Sequence, residues 1–356
     1  MAEVMRQARQ RARECSPPRA SPGAVYHRAR ALSTLARCRR QRMGLTAASR
    51  HDIPSPMPKP EEREPFDARQ FYDRYYRTTR DSRAYARFCE RAFGRNYAQH
   101  GFSDMAQVDF LIEAVGLSPG DRVLDIGCGN GGIAEYISDR TRAHVTGIDF
   151  IPEAIRQAEE RTRGKEARLA YRVADIAALP FPPGSFDTIS SIDTLYFTET
   201  DPTLAALKAL LSPARPHRRR GLEPGESQPH AEAAGETVPE RDVTGPRLAA
   251  FYSHGANPEI PLEVFPRETL PPDKTPLAQA LMHHGLPYRV WDFTQADYRH
   301  AQLTKRVMEE LKPAFEAEGN LFLYESRLGE AQGVMAAIEA GAHARYLYVA
   351  HVTAIS

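Results

Sequence analysis

The chain has few of the residues that define disulfide-rich, metal-structured or membrane proteins. Only 4 of its 356 residues are cysteine, and no pair of them has the C-x-x-C spacing of a zinc or redox site. This usage excludes a disulfide framework and fits a reducing compartment. No apolar run approaches the roughly 20 residues that a membrane helix requires. We therefore expect no membrane partner, and a chain long enough to bury the core of one large domain or two small ones.

The net charge of +1 conceals an uneven distribution along the chain. Residues 1–60 carry 13 Lys and Arg against 3 acids, so the remaining residues hold 34 against 43 and a net charge of −9. An acidic body is a poor partner for a phosphate backbone. We therefore expect no nucleic acid as substrate.

Residues 1–60 differ in composition from the rest, being rich in Arg, Ala, Ser and Pro. Such a segment is typical of a disordered basic tail. It also fits an organelle transit peptide, or a start upstream of the true first residue at Met43 or Met57. All three interpretations stay open. The expected location is cytoplasmic, or organellar if the segment is a transit peptide, and the Pro-rich residues 54–60 are typical of a linker.

The stretch DRVLDIGCGNGG at residues 121–132 is the most informative in the chain. An apolar run predicts a buried parallel strand. It leads into Gly127, Gly129 and Gly131, residues suited to positive φ and to close ligand approach. An amphipathic helix is predicted next, and a strand, a glycine turn and a helix N-terminus together form a nucleotide cradle. We expect Cys128 within this turn to be a small buried side chain.

Two nucleotide motifs fit this stretch. Gly127, Gly129 and Gly132 match G-x-G-x-x-G, the dinucleotide fingerprint. With Asp125 the same stretch reads D-x-G-x-G-x-G, which resembles the first motif of the class I S-adenosylmethionine-dependent methyltransferases. The Asp125 carboxylate suits a cationic ligand better than a pyrophosphate. An ordinary glycine loop of an α/β domain is a third possibility.

An acid about 20 residues after the glycine turn supports a nucleotide ligand. Residues 143–148 predict a second strand, and Asp149 closes it at the distance at which Rossmann-like folds place a carboxylate on ribose hydroxyls. The two acceptor oxygens of a carboxylate match a diol. Asp149 and its neighbour Phe150 are therefore candidate cofactor residues. The alternative is that Asp149 caps the helix that Pro152 opens, and the two roles can coexist.

The segment after the predicted third strand, residues 168–173, carries much of the resemblance. In class I methyltransferases an acid here accepts a hydrogen bond from the adenine amine, and its neighbour packs the ring or donates a backbone N–H. Asp175 and Ile176 match those positions, and LPFPPGSFD at residues 179–187 resembles the family's usual approach to its fourth strand. The resemblance covers about residues 66–213 and 245–352, and implies S-adenosylmethionine as the cofactor.

The ends of the next two strands hold the candidate catalytic residues. Asp193 and Tyr196 follow the predicted fourth strand, residues 186–192, in a stretch that borders the methyl group and the acceptor in the resembling family. Asp193 is assigned to the cofactor. Tyr196 either shapes the acceptor site or packs under a loop. His254, after a predicted fifth strand, is a candidate general base, or a plain loop histidine.

Two helical segments are predicted to cover the cleft. Residues 66–116 show aromatic side chains at helical spacing and form an N-terminal cap, with helices predicted on either side of a break at residues 78–82. Residues 295–341, between the predicted sixth and seventh strands, form a second lid where the family has a short hairpin. Further pocket candidates lie in both segments: Tyr72, Tyr76 and His100 in the first, and Tyr298, Tyr324 and Glu325 in the second.

Three further features of the sequence are less informative. Residues 214–244 have almost no large apolar side chains and are predicted to be a disordered insertion, or an error in the reading of the gene. Asp201 is predicted to cap a helix with Pro202 in its first position. His283 and His284 end a later helix, and because no third ligand is evident we predict no metal.

These patterns together predict an α/β fold with a Rossmann-like, doubly wound, seven-stranded sheet. It is mostly parallel with an antiparallel last strand, and carries helical lid segments within a domain at residues 66–352. The predicted activity is S-adenosylmethionine-dependent methyl transfer to N, O or C of a small-molecule acceptor, by a monomer or homodimer. The alternatives are an NAD(P)-dependent oxidoreductase and a catalytically inert methyltransferase-like protein. Methyl transfer needs no dedicated nucleophile, in keeping with a sequence that offers no Ser-His-Asp or Cys-His constellation.

Overall fold

The computed structural model describes residues 67–213, 245–255 and 269–352. The predictions made for residues 1–60 and 214–244 lie outside these ranges. The strands are β1 (Arg122–Ile126), β2 (His144–Asp149), β3 (Leu169–Val173), β4 (Thr188–Ile192), β5 (Arg247–Gly255), β6 (Tyr288–Asp292) and β7 (His343–His351). The α-helices are α1 (Ala68–Thr79), α2 (Arg83–Phe93), α3 (Met105–Val115), α4 (Gly132–Thr141), α5 (Pro152–Arg161), α6 (Thr200–Leu210), α7 (Pro276–His283), α8 (Thr294–Ala317) and α9 (Leu321–Glu339).

The strands form one sheet in the order β3-β2-β1-β4-β5-β7-β6. Strands β1 to β5 pair in parallel, whereas β7 runs antiparallel to both of its neighbours. The strand order reverses between β1 and β4, and ligands of open α/β sheets bind at such a switch point, outside the carboxyl ends of the strands. This topology confirms the predicted fold class.

Successive residues of the central strands supply the cores on opposite faces of the sheet. In β1, Val123 packs in one apolar cluster, and Leu124 packs in another with the leucines of α6 and α7. Side chains alternate between the two faces of a strand, and here both faces are covered, as expected for a parallel sheet flanked by helices. The core therefore fixes β1 rigidly beneath the glycine loop that follows it.

The N-terminal helices begin and end close to where the sequence predicts. Ser82, in the predicted break, caps α2 by accepting a hydrogen bond from the Tyr85 amide at 3.0 Å. The prediction that Asp201 caps α6 is wrong, because this helix begins at Thr200 after Glu199 and has no side-chain cap. Asp201 lies inside its first turn and contacts histidines of α7 instead.

Helices α1, α2, α8 and α9 form a layer that we call the cap. Their buried side chains share one apolar cluster with residues from the start of α5, and α8 packs along both α9 and α2. Glu318, just after α8, accepts hydrogen bonds from the Ser82 hydroxyl at 2.7 Å and the Ala84 amide at 2.8 Å, which ties α8 to the N-terminus of α2. The two segments predicted to cover the cleft therefore pack together. None of the helices in the described ranges has the length and hydropathy needed to cross a membrane.

Candidate active site

A cavity of about 480 Å³ lies at the carboxyl ends of the parallel strands. Its floor comes from the segments after β1, β2, β3 and β4, and its remaining walls come from α1, α9 and residues 97–103. The lining includes the carboxylates of Asp125, Asp149, Asp175, Asp193 and Glu330, and no Lys or Arg is found among the described lining residues. The wall of the cavity is therefore acidic.

The glycine loop is shaped by close contacts as well as by its backbone conformation. Gly127, Gly129 and Gly131 have φ of +70°, +54° and +74°, values that side-chain-bearing residues rarely adopt. A Cβ added to Gly127 would overlap the Thr194 hydroxyl, and one added to Gly129 would overlap the Tyr76 hydroxyl. The glycines therefore allow the loop to approach both the floor and the cap.

Asp125 is the most buried of the acids that line the cavity. Its side chain is 3 % exposed, and it accepts a hydrogen bond from the Ser190 hydroxyl of β4 at 2.9 Å. Burial raises the pKa of this carboxyl to about 7. Burial also raises the pKa of the neighbouring Cys128 thiol, so the predicted small, buried and unreactive cysteine fits its surroundings.

Asp149 braces the glycine loop from the end of β2. Its two oxygens accept hydrogen bonds from the amides of Gly129 at 3.0 Å and Ile151 at 2.9 Å. Burial raises the pKa of this carboxyl to about 6. The helix-cap interpretation is wrong, because Ile151 is the capping residue of α5 and no side chain caps this helix. Each oxygen keeps a second lone pair for a ligand.

The remaining predicted cofactor residues lie along the same wall. Asp175 is exposed and accepts a hydrogen bond from the Ala177 amide at 2.9 Å, which caps a short 3₁₀ helix that begins at Ile176. Asp175 and Ile176 line the cavity beyond β3, and Phe150 lines it beyond β2. The ends of three successive strands thus face one space.

Asp193 lines the cavity, as the sequence predicts, but it also forms an ion pair that the sequence does not predict. It has φ of +56° and receives two hydrogen bonds from the Arg345 guanidinium of β7, at 2.9 and 3.0 Å. It also accepts the Phe102 amide at 3.1 Å. Arg345 is fully buried, and nothing local in the sequence distinguishes it from other strand residues. Asp193 is therefore held by a structural ion pair while it lines the cavity.

The other candidates divide into those that line the cavity and those that do not. Tyr196, Tyr72, Tyr76 and His100 are among the lining residues. Four candidates are absent from that lining: His254, Tyr298, Tyr324 and Glu325. Each of these four side chains lies in another part of the fold.

His254 belongs to β5 itself, where it pairs with Ala344 of β7, although the sequence predicts it after the strand. Burial and the nearby His343 lower its pKa. Tyr298 donates a hydrogen bond to Glu339 on the surface, Tyr324 packs inside the cap, and Glu325 is exposed.

Several cavity residues carry no signal in the sequence. Glu330 of α9 and His343 at the start of β7 line the cavity, but they lie far along the chain from the glycine motif. Tyr97 also lines it, and its carbonyl accepts a hydrogen bond from the Asn130 side chain at 2.7 Å.

A histidine pair outside the cavity lining bears on the prediction that the chain binds no metal. His283 and His284 lie 2.8 and 3.2 Å from the Asp201 carboxylate, so a third side chain of metal-ligand type is present after all. The cluster is largely exposed, and in this structure its ligand atoms hydrogen-bond or pair with one another. The prediction of no metal therefore loses the premise on which it rested.

Comparison with known proteins shows which families have a similar sequence and fold. Residues 123–216 match a family described as a methyltransferase domain. Phosphoethanolamine N-methyltransferase 1 of Arabidopsis thaliana is 36 % identical over 115 residues, which cover 32 % of this chain and 23 % of that protein. The chain thus spans only about a quarter of the length of this relative.

Solved structures extend the likeness beyond the matched segment. Phosphoethanolamine N-methyltransferase 2 of Haemonchus contortus, in complex with phosphomonomethylethanolamine and S-adenosylhomocysteine, superposes with a TM-score of 0.58 at 19 % identity, covering 80 % of this chain and 60 % of the other. A cyclopropane synthase of Mycobacterium tuberculosis gives 0.56 at 15 % identity, covering 80 % and 98 %. These matches confirm the resemblance carried by the glycine motif. Residues 123–216 thus match a methyltransferase domain, and the chain shares its fold with solved structures that include a phosphoethanolamine N-methyltransferase.

Proposed function

We propose that this protein binds S-adenosylmethionine in the cavity and transfers its methyl group to a small-molecule acceptor. The observation that carries the proposal is the convergence of Asp125, Asp149 and Asp175 on one space, from the ends of three neighbouring strands, with the glycine loop between them. The family resemblance assigns such acids to one adenosine-bearing ligand. Asp149 would hold the ribose, Asp175 and Ile176 the adenine, and Asp125 the amino-acid end.

The residues present fit this cofactor better than a dinucleotide. A pyrophosphate would face the buried Asp125 carboxylate across the glycine loop, and the described lining holds no Lys or Arg to offset the repulsion. The sulfonium and ammonium groups of S-adenosylmethionine are cations, which an acidic wall attracts. The same charge supports a small-molecule acceptor over a nucleic acid. A monomer or homodimer and a cytoplasmic location remain part of the proposal.

The cofactor would supply an electrophilic methyl group, and the protein would position the two reactants and keep water away from them. Two reactants held in line in a cavity react without the loss of translational freedom that slows them in water. Helices α1 and α9 of the cap line the cavity, and they would shield the two bound reactants from solvent. Tyr196 shapes the acceptor end. His254 is not part of the described lining, so its role as general base requires a movement of the end of β5.

Paired calorimetric titrations test the proposal. We expect the full-length protein to bind S-adenosylhomocysteine with one-to-one stoichiometry and to show no saturable binding of NADH. A donor with a labelled methyl group, offered with amines, phenols, carboxylates and prenyl compounds, should then label at least one class. Binding of NADH without binding of S-adenosylhomocysteine would overturn the proposal in favour of an oxidoreductase.

A further inference from the structure

The sheet order separates the cavity into two ends. Asp175 follows β3 at one edge of the sheet, whereas His343 opens β7, which lies beyond β4 and β5. If the cofactor occupies the space over β1, β2 and β3, as proposed above, the acceptor must lie on the side of β4 and β7. The residues on that side therefore determine which acceptor is recognised.

The acceptor end has an aromatic and acidic wall, which we call the distal wall and define as Tyr72, His100, Phe197 and Glu330. The Tyr72 ring lies 5.1 Å from the His100 ring and 6.5 Å from the Phe197 ring, edge to face in both cases. The Glu330 carboxylate approaches the His100 imidazole to 4.0 Å. Aromatic faces combined with a carboxylate attract organic cations, through the ring quadrupole and through direct charge.

The two carboxylates at the acceptor end are each paired with an arginine that does not line the cavity. Glu330 lines the cavity and is paired with Arg327, which does not line it. Asp193 lines the cavity and is paired with Arg345, which again does not line it. Both ion pairs therefore present their negative ends to the cavity.

Neither guanidinium is placed to turn toward a bound anion. All five N–H groups of Arg345 are used, because it bonds the side chains of Asp193, Gln107, Asp297 and Ser103 at 2.6 to 3.0 Å. Arg327 is 1 % exposed and packs against the rings of Phe88, Phe93 and Phe102 at 5.7 to 5.8 Å. Its Nε and one Nη have no hydrogen-bond partner among the described residues, but Arg327 is not part of the cavity lining. Among the described lining residues, a phosphate would therefore meet carboxylates rather than guanidinium groups.

We infer that the acceptor carries a cationic amine and no phosphate, and that Glu330 on the distal wall is the residue that recognises the amine. The inference rests on the proposed function, and concerns recognition of the acceptor whichever of its atoms receives the methyl group. It sets this protein apart from the phosphoethanolamine methyltransferases that it resembles in fold.

A matched ligand series tests the inference directly. The full-length protein, saturated with S-adenosylhomocysteine, is titrated by calorimetry with 2-phenylethylamine, 2-phenylethanol and 2-phenylethyl phosphate, which share one aromatic body. We expect the amine to bind at least about tenfold more tightly than the alcohol, and the phosphate to bind more weakly than the alcohol. An amine no tighter than the alcohol, a phosphate that binds best, or no binding of any of the three contradicts the inference.

Variants of α9 assign the preference to Glu330. Glu330→Gln should abolish the difference between amine and alcohol and leave the affinity for S-adenosylhomocysteine unchanged. Glu325→Gln, which removes an exposed carboxylate from the same helix, should behave as wild type. Because Glu330→Gln leaves Arg327 buried without its carboxylate, the double variant Arg327→Met, Glu330→Gln removes both charges and should also lose the preference. Retention of the preference in a folded double variant would overturn the role of Glu330.

Titration with S-adenosylhomocysteine distinguishes failure of the proposed function from failure of the inference about the acceptor. Failure of S-adenosylhomocysteine to bind wild type would remove the proposed function itself. Normal binding of S-adenosylhomocysteine, followed by preference for the phosphate, would leave the proposed function intact and remove only the inference about the acceptor.

Discussion

At the scale of single residues, the cofactor end of the cavity holds two carboxyls in an unfavourable environment. Asp125 and Asp149 have no cationic partner among the described residues, and burial raises their pKa values to about 7 and about 6. A cation bound beside them would compensate for the water that burial removed. Strongly perturbed acids in a cleft are typical of functional sites, and this pair is consistent with a site built for a positively charged ligand.

The raised pKa of Asp125 predicts that cofactor binding depends on pH. A cation binds the ionised carboxylate, so binding below a pH of about 7 must release a proton, and affinity should fall as the pH falls from about 8 to about 6. Calorimetry with S-adenosylhomocysteine in buffers of different ionisation enthalpy measures this release. Asp125→Asn should remove most of the dependence. An affinity for wild type that is constant over this range contradicts the prediction.

The same shift has the opposite consequence for the stability of the free protein. An acid whose folded-state pKa lies above its unfolded value of about 3.9 binds more protons when folded, so its charge costs stability progressively as the pH rises through about 4 to 7. Asp125→Asn keeps the oxygen that accepts from Ser190 and should raise the melting temperature of the free protein at a pH of about 8. A melting temperature lowered by the change would show that the carboxylate stabilises the fold.

Gly129 offers a second residue-level test, because two constraints meet there. Gly129→Ala combines an unfavourable φ with overlap of the new Cβ and the Tyr76 hydroxyl. Gly164→Ala is the matched control, since Gly164 also has positive φ, at +89°, but a Cβ added there would meet nothing within 4 Å. We expect the first change to weaken binding of S-adenosylhomocysteine more than tenfold, and the second to leave binding unchanged at a stability cost of about 1–2 kcal/mol. Equal effects on binding would exclude the steric explanation.

Sequence reasoning succeeded at residues whose roles are local and failed at those whose roles are not. Asp125, Asp149 and Asp175 each follow a strand within a recognisable motif, so their approach to one cavity follows from parallel strand ends meeting at one sheet edge. Arg345 bonds Asp193, 152 residues earlier in the chain, and Glu330 approaches His100 from a distant helix, through contacts that only packing creates. The i,i+3 spacing of Arg327 and Glu330 is a local pattern, but it does not indicate that Glu330 faces the cavity.

At the scale of elements, Arg345 connects β7 to three other parts of the fold. It bonds Asp193 after β4, Gln107 of α3 and Asp297 of α8. Arg345→Met would leave two buried carboxylates without their cation, and should lower the free energy of unfolding by about 3–5 kcal/mol. Denaturant unfolding measures the loss. Adding Asp193→Asn and Asp297→Asn should restore part of it, and a loss below about 1 kcal/mol contradicts this assignment.

Element boundaries show where local signals were sufficient. The break between α1 and α2 follows from the capping serine, and β1 to β4 end within two residues of their predicted bounds. The start of α6 was misplaced, because Asp201 and Pro202 resemble a cap but lie inside the first turn. Strand β5 runs past its predicted end because β7 pairs with it as far as Gly255, and a long-range pairing of this kind leaves no local mark.

At the scale of the whole molecule, the parallel strands of the sheet form the floor of the cavity, and two distant chain segments together form the cap. The family resemblance was sufficient to predict the seven-stranded sheet with its antiparallel last strand, whereas the helical insertion between β6 and β7 was predicted from the sequence itself, where the family has a short hairpin. It could not predict that this insertion packs on α1 and α2, nor that α9 turns Glu330 toward the cavity. Those features depend on apolar surfaces that meet only in the folded chain.

The central claim is that the strand-end acids hold one adenosine-bearing ligand, and calorimetric titration with S-adenosylhomocysteine, which keeps the ammonium, ribose and adenine groups, tests it most directly. The comparison is between wild type and the triple variant Asp125→Asn, Asp149→Asn, Asp175→Asn, with melting temperatures recorded to show that the variant is folded. We predict one-to-one binding to wild type and affinity at least about a hundredfold weaker in the folded variant, since each carboxylate contributes a charge-assisted contact. Equal affinity of the two proteins would contradict the account.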